Sequence, residues 1–337
     1  MKKNNIRSSS RRRTPWDDRE DYLTPLESFI HHEYKDHFVI HHPKLSETNE
    51  AKLLNSFIPQ SCKYCGSNHI KKDGKNKNGI QRYYCNDCDR NFLITTNTIF
   101  EDRKISITEW IEYLLNLFGY SSINLNSKTN KNSPTTSKYW LAKVFLLLKE
   151  YQENTILDGD VQIDETYYSV IKKEIKFKDG KKLRGISNNK YCIAVGCDKN
   201  QVYCHLEGKG KPSTNKTWKA FGTHINPESR LIHDDEHSHS VLVEKLSLKS
   251  IVHPTSETKV LEDKDNPLNK VNHYCFLLKN FLNAHSGFNR DELGDYLNLF
   301  VFMMNAPYNK LEKVHKILEM ALNQPKKLHF RDYYAKK

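Results

Sequence analysis

Two strand-like runs each carry an aspartate that an ordinary strand would not need. One is Val161-Gln162-Ile163-Asp164-Glu165-Thr166, the other Arg230-Leu231-Ile232-His233-Asp234-Asp235, and the two aspartates stand 70 residues apart. A third polar cluster, Asn266, Asn269 and Asn272, follows about 35 residues later. Carboxylates gathered from distant strands are what a two-metal phosphoryl-transfer site requires. Asp164 follows the alternating Val161 and Ile163, and a strand carboxylate away from a turn is costly unless it binds something. A strand-end aspartate pairing with a backbone amide is the plain alternative for one such residue; a second, Asp234, argues against it.

The run His233-Asp234-Asp235-Glu236-His237-Ser238-His239 is polar throughout. An adjacent His-Asp pair also occurs in metal phosphohydrolases, but that architecture is all-helical and here the pair ends a strand. His237 and His239 are expected to cap the following helix or to meet DNA. After Pro267 the helical spacing sets Asn269, Asn272, Phe276 and Lys279 on one face. Val271, Cys275, Leu278 and Leu282 form a separate apolar stripe. The amides and the ammonium are therefore expected to face the two aspartates.

Cys62, Cys65, Cys85 and Cys88 read C-x2-C-x19-C-x2-C, the spacing at which two knuckles bring four thiolates into a tetrahedron around Zn²⁺. Gly66 suits the tight turn after the first pair, and Arg82-Tyr83-Tyr84 with Phe92 supplies a small sheet. Lys71, Lys72, Lys75 and Lys77 on the intervening hairpin suit phosphate contacts. Cys192, Cys197, Cys204 and Cys275 lack paired spacing and are expected in the core.

The elements that must hold these residues follow in order. Residues 1–15 read as a basic disordered arm, and 16–60 as a helical segment with Leu26, Phe29 and Ile30 at helical spacing. The histidines there (His31, His32, His37, His41, His42) have no ligand spacing. Residues 61–95 are the ribbon. Residues 100–152 carry two helical patterns, one through Trp110, Ile111, Leu114, Leu115 and Phe118, ended at Gly119, the other from Pro134 through Trp140, Val144, Leu147 and Leu148. A polar linker, Asn124 to Ser133, separates them, which fits a helix-turn-helix-like unit or a plain helical spacer. Over 158–305 three strands (161–170, 190–198, 202–207), a helix near 216–221, a strand at 230–234, a helix at 238–247, a short strand at 251–252 and helices from Leu268 predict a mixed α/β layer. Residues 306–337 form a helical tail.

The chain has 337 residues, and 53 Lys and Arg against 41 Asp and Glu leave a net charge of +12, which favours a polyanionic partner. No run approaches the roughly 18 apolar residues of a membrane helix. The basic N-terminus leads into Ser8-Ser9-Ser10-Arg11-Arg12-Arg13 with no apolar core behind it, so a secretory signal is not expected. Eight cysteines without such a signal point to metal binding in a reducing compartment, the cytoplasm.

In this order and spacing the residues resemble the DDE-type transposases of bacterial insertion sequences, in the group with an amino-terminal zinc ribbon and an RNase H-like core. The resemblance covers roughly residues 55–305. It rests on the four cysteines, the helical unit, Ile163-Asp164-Glu165-Thr166, Ile232-His233-Asp234, Asn269-Lys270-Val271-Asn272 with Lys279, and Tyr296-Leu297-Asn298-Leu299-Phe300 through Asn305. It implies an RNase H-like mixed sheet with flanking helices, preceded by the zinc ribbon and a helix-turn-helix-like DNA-binding unit. It further implies that Asp164 and Asp234 are catalytic carboxylates holding Mg²⁺, with Mn²⁺ as substitute. Asn272 stands at the third catalytic position, where many relatives carry Glu, and Lys279 matches a phosphate-holding Lys. His233 stands where relatives often have Thr. The implied activity is cleavage and strand transfer at element ends. The partners would be double-stranded DNA, as terminal inverted repeats and target, and further copies of the chain in a homo-oligomeric DNA complex. The alternative is a zinc-ribbon DNA-binding protein without catalysis, a regulator or an inactivated transposase.

Overall fold

The computed structural model describes residues 50–103 and 106–335. The basic arm and the expectations for Leu26, Phe29, Ile30 and the five early histidines fall outside the described residues. The chain divides into two compact units, 1–141 with 318–337 and 142–317.

The first unit begins with α1 (Glu50–Ser56) and a three-stranded antiparallel sheet of β1 (Ile70–Lys75), β2 (Gln81–Cys85) and β3 (Arg90–Leu93). Its core is small: Tyr83 stacks on Phe92 at 5.7 Å beside Cys62 and Cys85. Asn55 of α1 clamps the β1–β2 hairpin, donating to the Gly79 carbonyl at 2.9 Å and accepting from the Gln81 amide at 2.7 Å. Three helices follow, α2 (Ile107–Leu117), α3 (Ile123–Thr129) and the first half of α4 (Pro134–Leu148). Ser106, Ser122 and Ser133 accept hydrogen bonds from the amides three residues on and satisfy first-turn donors. α3 is a departure from expectation, because it lies within the stretch read as a polar linker. Its composition hides it: the residues it buries are Asn126 and Ser127, and the Asn126 amide donates to the Tyr113 carbonyl at 3.1 Å.

The end of α9 (Lys310–Asn323) and α10 (Phe330–Ala335) also belong to this unit. Tyr139 packs on Phe330 and Tyr333, Lys63 donates to the Leu322 carbonyl, and Lys327 pairs with Glu101.

The second unit is built on five strands: β4 (Asp160–Ser169), β7 (Lys190–Cys197), β8 (Val202–Lys209), β9 (Arg230–His233) and β10 (Lys249–Val252). Between β4 and β7 lies a two-residue hairpin, β5 (Phe177–Lys178) and β6 (Lys181–Lys182), which the sequence pattern did not reveal. The sheet order is β10-β9-β4-β7-β8, with β4, β7 and β8 antiparallel and β9 and β10 parallel to β4. It is a mixed sheet in an α/β unit, the coarse class expected from the residue patterns. Val161 and Ile163 of β4 join Ala194, Tyr203 and Leu231 in a core covered by α5 (Thr214–Phe221) and α6 (Ser240–Leu246), which supply Phe221 and Leu242. Gly196 is required there, since a Cβ would lie 2.7 Å from Phe221 and 2.8 Å from Leu157.

The other face is covered by α7 (Asn269–Ala284) and α8 (Leu293–Met304). β8 would present an open edge, but side-chain amides occupy it. Gln152 exchanges two hydrogen bonds with Cys204, and Asn305 two with Val202. Such cover satisfies backbone groups and blocks strand addition. Among the described residues no helix is long and apolar enough to cross a membrane.

Candidate catalytic and metal-binding sites

Asp164 sits in the middle of β4, opposite Val195 of β7, rather than at the strand's end. Strand alternation separates its surroundings. Val161 and Ile163 enter the α5–α6 core, while Gln162 and Asp164 point to the α7 side. β9 pairs with β4 in register Asp160↔Arg230, Val161↔Leu231 and Gln162↔Ile232, a constant offset of 70 residues. Asp234 follows β9 by one residue, where the same offset carried on would bring it level with Asp164, whose carboxyl feels its charge. Burial, and then the charges of Glu165 and Asp234, push the Asp164 carboxyl up to about 7, against the Glu165 amide and His239. The Glu165 amide donates to Asp164 Oδ1 at 2.7 Å. A carboxyl raised by burial and like charge is one that a divalent cation would return to its ionised form.

Gln162 fixes the start of α7, donating to the Pro267 carbonyl at 2.9 Å and accepting from the Val271 amide at 3.1 Å. The expected apolar stripe is the buried one: Val271, Cys275, Leu278 and Leu282 all lie inside. Asn269, Asn272, Phe276 and Lys279 are exposed. The Cys275 thiol lies 3.9 Å from Asp164 Oδ2, which registers the helix on the strand. Asn272 comes one turn before Cys275 and Lys279 one turn after, so both flank the point of contact with Asp164. Glu262, Asp263 and Asp265, three carboxylates upstream of the helix, are exposed, and Glu262 pairs with Lys264 at 2.9 Å.

The sequence reading missed a buried polar cluster on the α5–α6 side. His239 ends a 3-10 turn, His237–His239, and is fully buried. Although His239 precedes α6, its side chain makes no capping hydrogen bond. That corrects the expected capping or DNA-facing role for this residue; His237 alone is exposed. His239 Nε2 lies 3.0 Å from Glu165 Oε1, and its Nδ1 lies 3.1 Å from His233 Nδ1 and 3.5 Å from Asp234 Oδ1. His233 Nε2 is 3.0 Å from Ser250 Oγ of β10. Burial lowers the His239 imidazole, but the Glu165 hydrogen bond and the Glu165 and Asp234 charges outweigh it and leave it raised. Burial and the charge of His239 bring His233 down to about 4. The hints in the sequence were the polar run from His233 to His239, most of whose side chains could bind metal, and Glu165 following Asp164, which strand alternation sends to the opposite face.

In the first unit the four cysteines converge. Cys62 Sγ and Cys88 Sγ lie 3.6 Å apart, as do Cys65 Sγ and Cys85 Sγ. A tetrahedron with ~2.3 Å metal–sulfur bonds has edges of about 3.8 Å, so this donor set can hold Zn²⁺. Burial raises the Cys62 thiol, but the amides of Cys65 and Tyr64 and the neighbouring sulfurs outweigh it, to about 7. Burial and the other sulfurs push Cys88 up to about 12. Gly66, at φ +77°, makes the turn after the first pair.

Residues 156–305 match the family model of the ISXO2-like transposase domain. The chain is 24% identical over 298 residues to an uncharacterized protein in the transposable element ISH50 of Halobacterium salinarum, covering 82% of this chain and 98% of that one. Among solved structures, similarity is found to the Mos1 mariner paired end complex with Mn, at 14% identity and a TM-score of 0.29, over 62% of this chain and 75% of that one. A simian T-cell lymphotropic virus intasome in complex with PP2A regulatory subunit B56 gamma matches at 10% identity and a TM-score of 0.30, over 60% and 74%. The matched residues lie across the α/β unit, which is thus similar to an ISXO2-like transposase domain.

Proposed function

We propose that this chain catalyses metal-dependent DNA cleavage and strand transfer at the ends of an insertion sequence. The observation that carries the reading is the β4–β9 register, whose 70-residue offset matches the spacing of Asp164 and Asp234. Asp164 and Asp234 would hold Mg²⁺, with Mn²⁺ as substitute, and the bound ions would supply activation of the attacking oxygen and neutralisation of the leaving one. Asn272 offers a neutral oxygen from the flanking helix. Mg²⁺ tolerates this, because it keeps several waters and needs only one or two carboxylates with substrate phosphates. Lys279, exposed on the same helix, would hold a phosphate of the scissile strand.

The remaining parts fit a DNA partner. Lys71, Lys72, Lys75 and Lys77 are exposed on the ribbon hairpin, which Zn²⁺ at Cys62, Cys65, Cys85 and Cys88 would fold. The ribbon and the three-helix segment would engage terminal inverted repeats, the α/β unit would act on the cut ends and the target, and the DNA complex would be a homo-oligomer. The test is cleavage of a labelled element end with Mg²⁺, using the wild type, Asp164→Asn and Asp234→Asn. Cutting by the wild type alone, with end binding retained in all three, supports the reading. End binding without cutting by the wild type in either Mg²⁺ or Mn²⁺ would support the non-catalytic DNA-binding alternative, for which the neutral Asn272 speaks.

A further inference from the structure

We propose that His233, His239 and Asp234 form a second metal site, on the α5–α6 side of the sheet, for a borderline first-row ion such as Zn²⁺ or Mn²⁺. It shares Asp234 with the catalytic reading but does not need the cleavage chemistry.

The geometry is that of three donors aimed at one point. His239 Nδ1 lies 3.1 Å from His233 Nδ1 and 3.5 Å from Asp234 Oδ1, and the three ligand atoms fall within 4.8 Å of one another. A tetrahedral ion with bonds of ~2.0–2.2 Å separates its ligands by about 3.3–3.6 Å, so little adjustment is needed. The outward-facing nitrogens are already engaged. His239 Nε2 meets Glu165 Oε1 at 3.0 Å, and His233 Nε2 meets Ser250 Oγ at 3.0 Å. Metal-bound histidines characteristically donate the second ring N–H to a carboxylate or another acceptor, which fixes the tautomer.

Here Glu165 can only accept, so His239 carries its proton on Nε2 and Nδ1 is a lone pair whenever the ring is neutral. With His233 donating from Nε2 to Ser250, a second nitrogen lone pair and a carboxylate oxygen point at the first. Either a bound cation or a proton on His239 Nδ1 reconciles them. Both rings are buried, His239 completely, which holds the donors in place. Two imidazoles and one carboxylate select a borderline ion over Mg²⁺, which prefers oxygen ligands. Asp234 Oδ1, which also accepts from the Glu236 amide at 3.1 Å, serves this site, while Oδ2 takes no hydrogen bond among the described residues and remains available to the catalytic face. The ring-to-ring hydrogen bond, with a proton in place of the ion, is the competing account.

The test uses the full chain carrying one equivalent of Zn²⁺, which the four thiolates take first, and then Mn²⁺ as probe, followed by pulsed electron paramagnetic resonance. Coupling of Mn²⁺ to two imidazole nitrogens is expected. His239→Gln and His233→Gln should each remove one coupling and weaken Mn²⁺ binding by at least tenfold. Ser250→Ala, at an exposed position that leaves folding undisturbed, should weaken it about tenfold through the lost support of His233. Asp164→Asn should keep both couplings, which separates this site from the catalytic one. Mn²⁺ without nitrogen coupling in the wild type, or binding indifferent to Ser250→Ala and both histidine changes, overturns the proposal. Either result would leave the cleavage reading standing if cutting still depends on Asp164.

Discussion

The four-cysteine knuckle and the aspartate pair obtain their geometry from different sources. Each half of the knuckle is local: two cysteines three residues apart share one turn, and a three-stranded sheet joins the halves. Its apolar core is essentially Tyr83, Phe92 and the edge of Ile70 with the cysteines themselves, so a metal bound there would supply most of the stability. The aspartates come from strands far apart in sequence, and their proximity rests on a parallel register and a large apolar core. A metal held there, on the proposed function, would be a reagent rather than a staple. The lesson is that the ribbon should stand or fall with its ion, whereas the sheet should persist without one.

Removing one thiolate is the most severe way to break that contrast. Cys85→Ser should lose the zinc and unfold residues 61–95, at a cost on the order of 10 kcal/mol for the ribbon, while the α/β unit stays folded. Metal analysis with hydrogen exchange resolved by segment would read both, and zinc retained by the variant would refute the assignment. On the sheet the opposite pattern is expected. Asp164→Asn should abolish cleavage, at least about a thousandfold, with DNA binding and folding intact. Near wild-type cutting by this variant would sink the catalytic assignment.

Acid should separate the two regions by mechanism. His285, at the end of α7, is buried against Phe281 and Tyr296, and among the described residues neither ring nitrogen finds a partner. Burial brings it down to about 4 from an ordinary 6.5. The unfolded state therefore binds the extra proton below 6.5, and stability present above that pH is lost as it falls towards 4. The loss amounts to about 3 kcal/mol. His285→Phe should flatten the acid limb of α/β-unit stability, measured by denaturant titration at pH 7 and pH 4.5. An unchanged limb would show that another group governs it. Zinc release from the ribbon at low pH should not respond to this substitution.

The smallest effect expected is at the third position. Asn272→Glu adds a charge beside the pair and should tighten Mg²⁺ binding by roughly tenfold, about 1.4 kcal/mol. Isothermal titration without DNA would measure it, and unaltered affinity would mean that Asn272 lies outside the ion's reach.

Much of this architecture could be read from residue patterns. The strands near 161–170, 190–198 and 202–207 show β-spacing, and the 269–284 helix shows its buried stripe in Val271, Cys275, Leu278 and Leu282. The short helix at 123–129 was invisible because it buries Asn and Ser, which no apolar period reports. The hairpin at 177–182 was hidden because its residues are exposed Phe and Lys, with no apolar alternation between them.

The sequence by itself determined which atoms could serve as ligands: four cysteines at knuckle spacing, and two aspartates in strand-like runs. These are local properties, because spacing of two or three residues acts through a single turn or pleat. Only the tertiary structure decided that Glu165 would leave the face of Asp164 and reach His239, and that His239 would turn inward to His233 rather than cap a helix. Those contacts join residues 74 and 6 positions apart. They follow from pleat direction, strand register and the packing of a 3-10 turn, which no residue carries in its own neighbourhood.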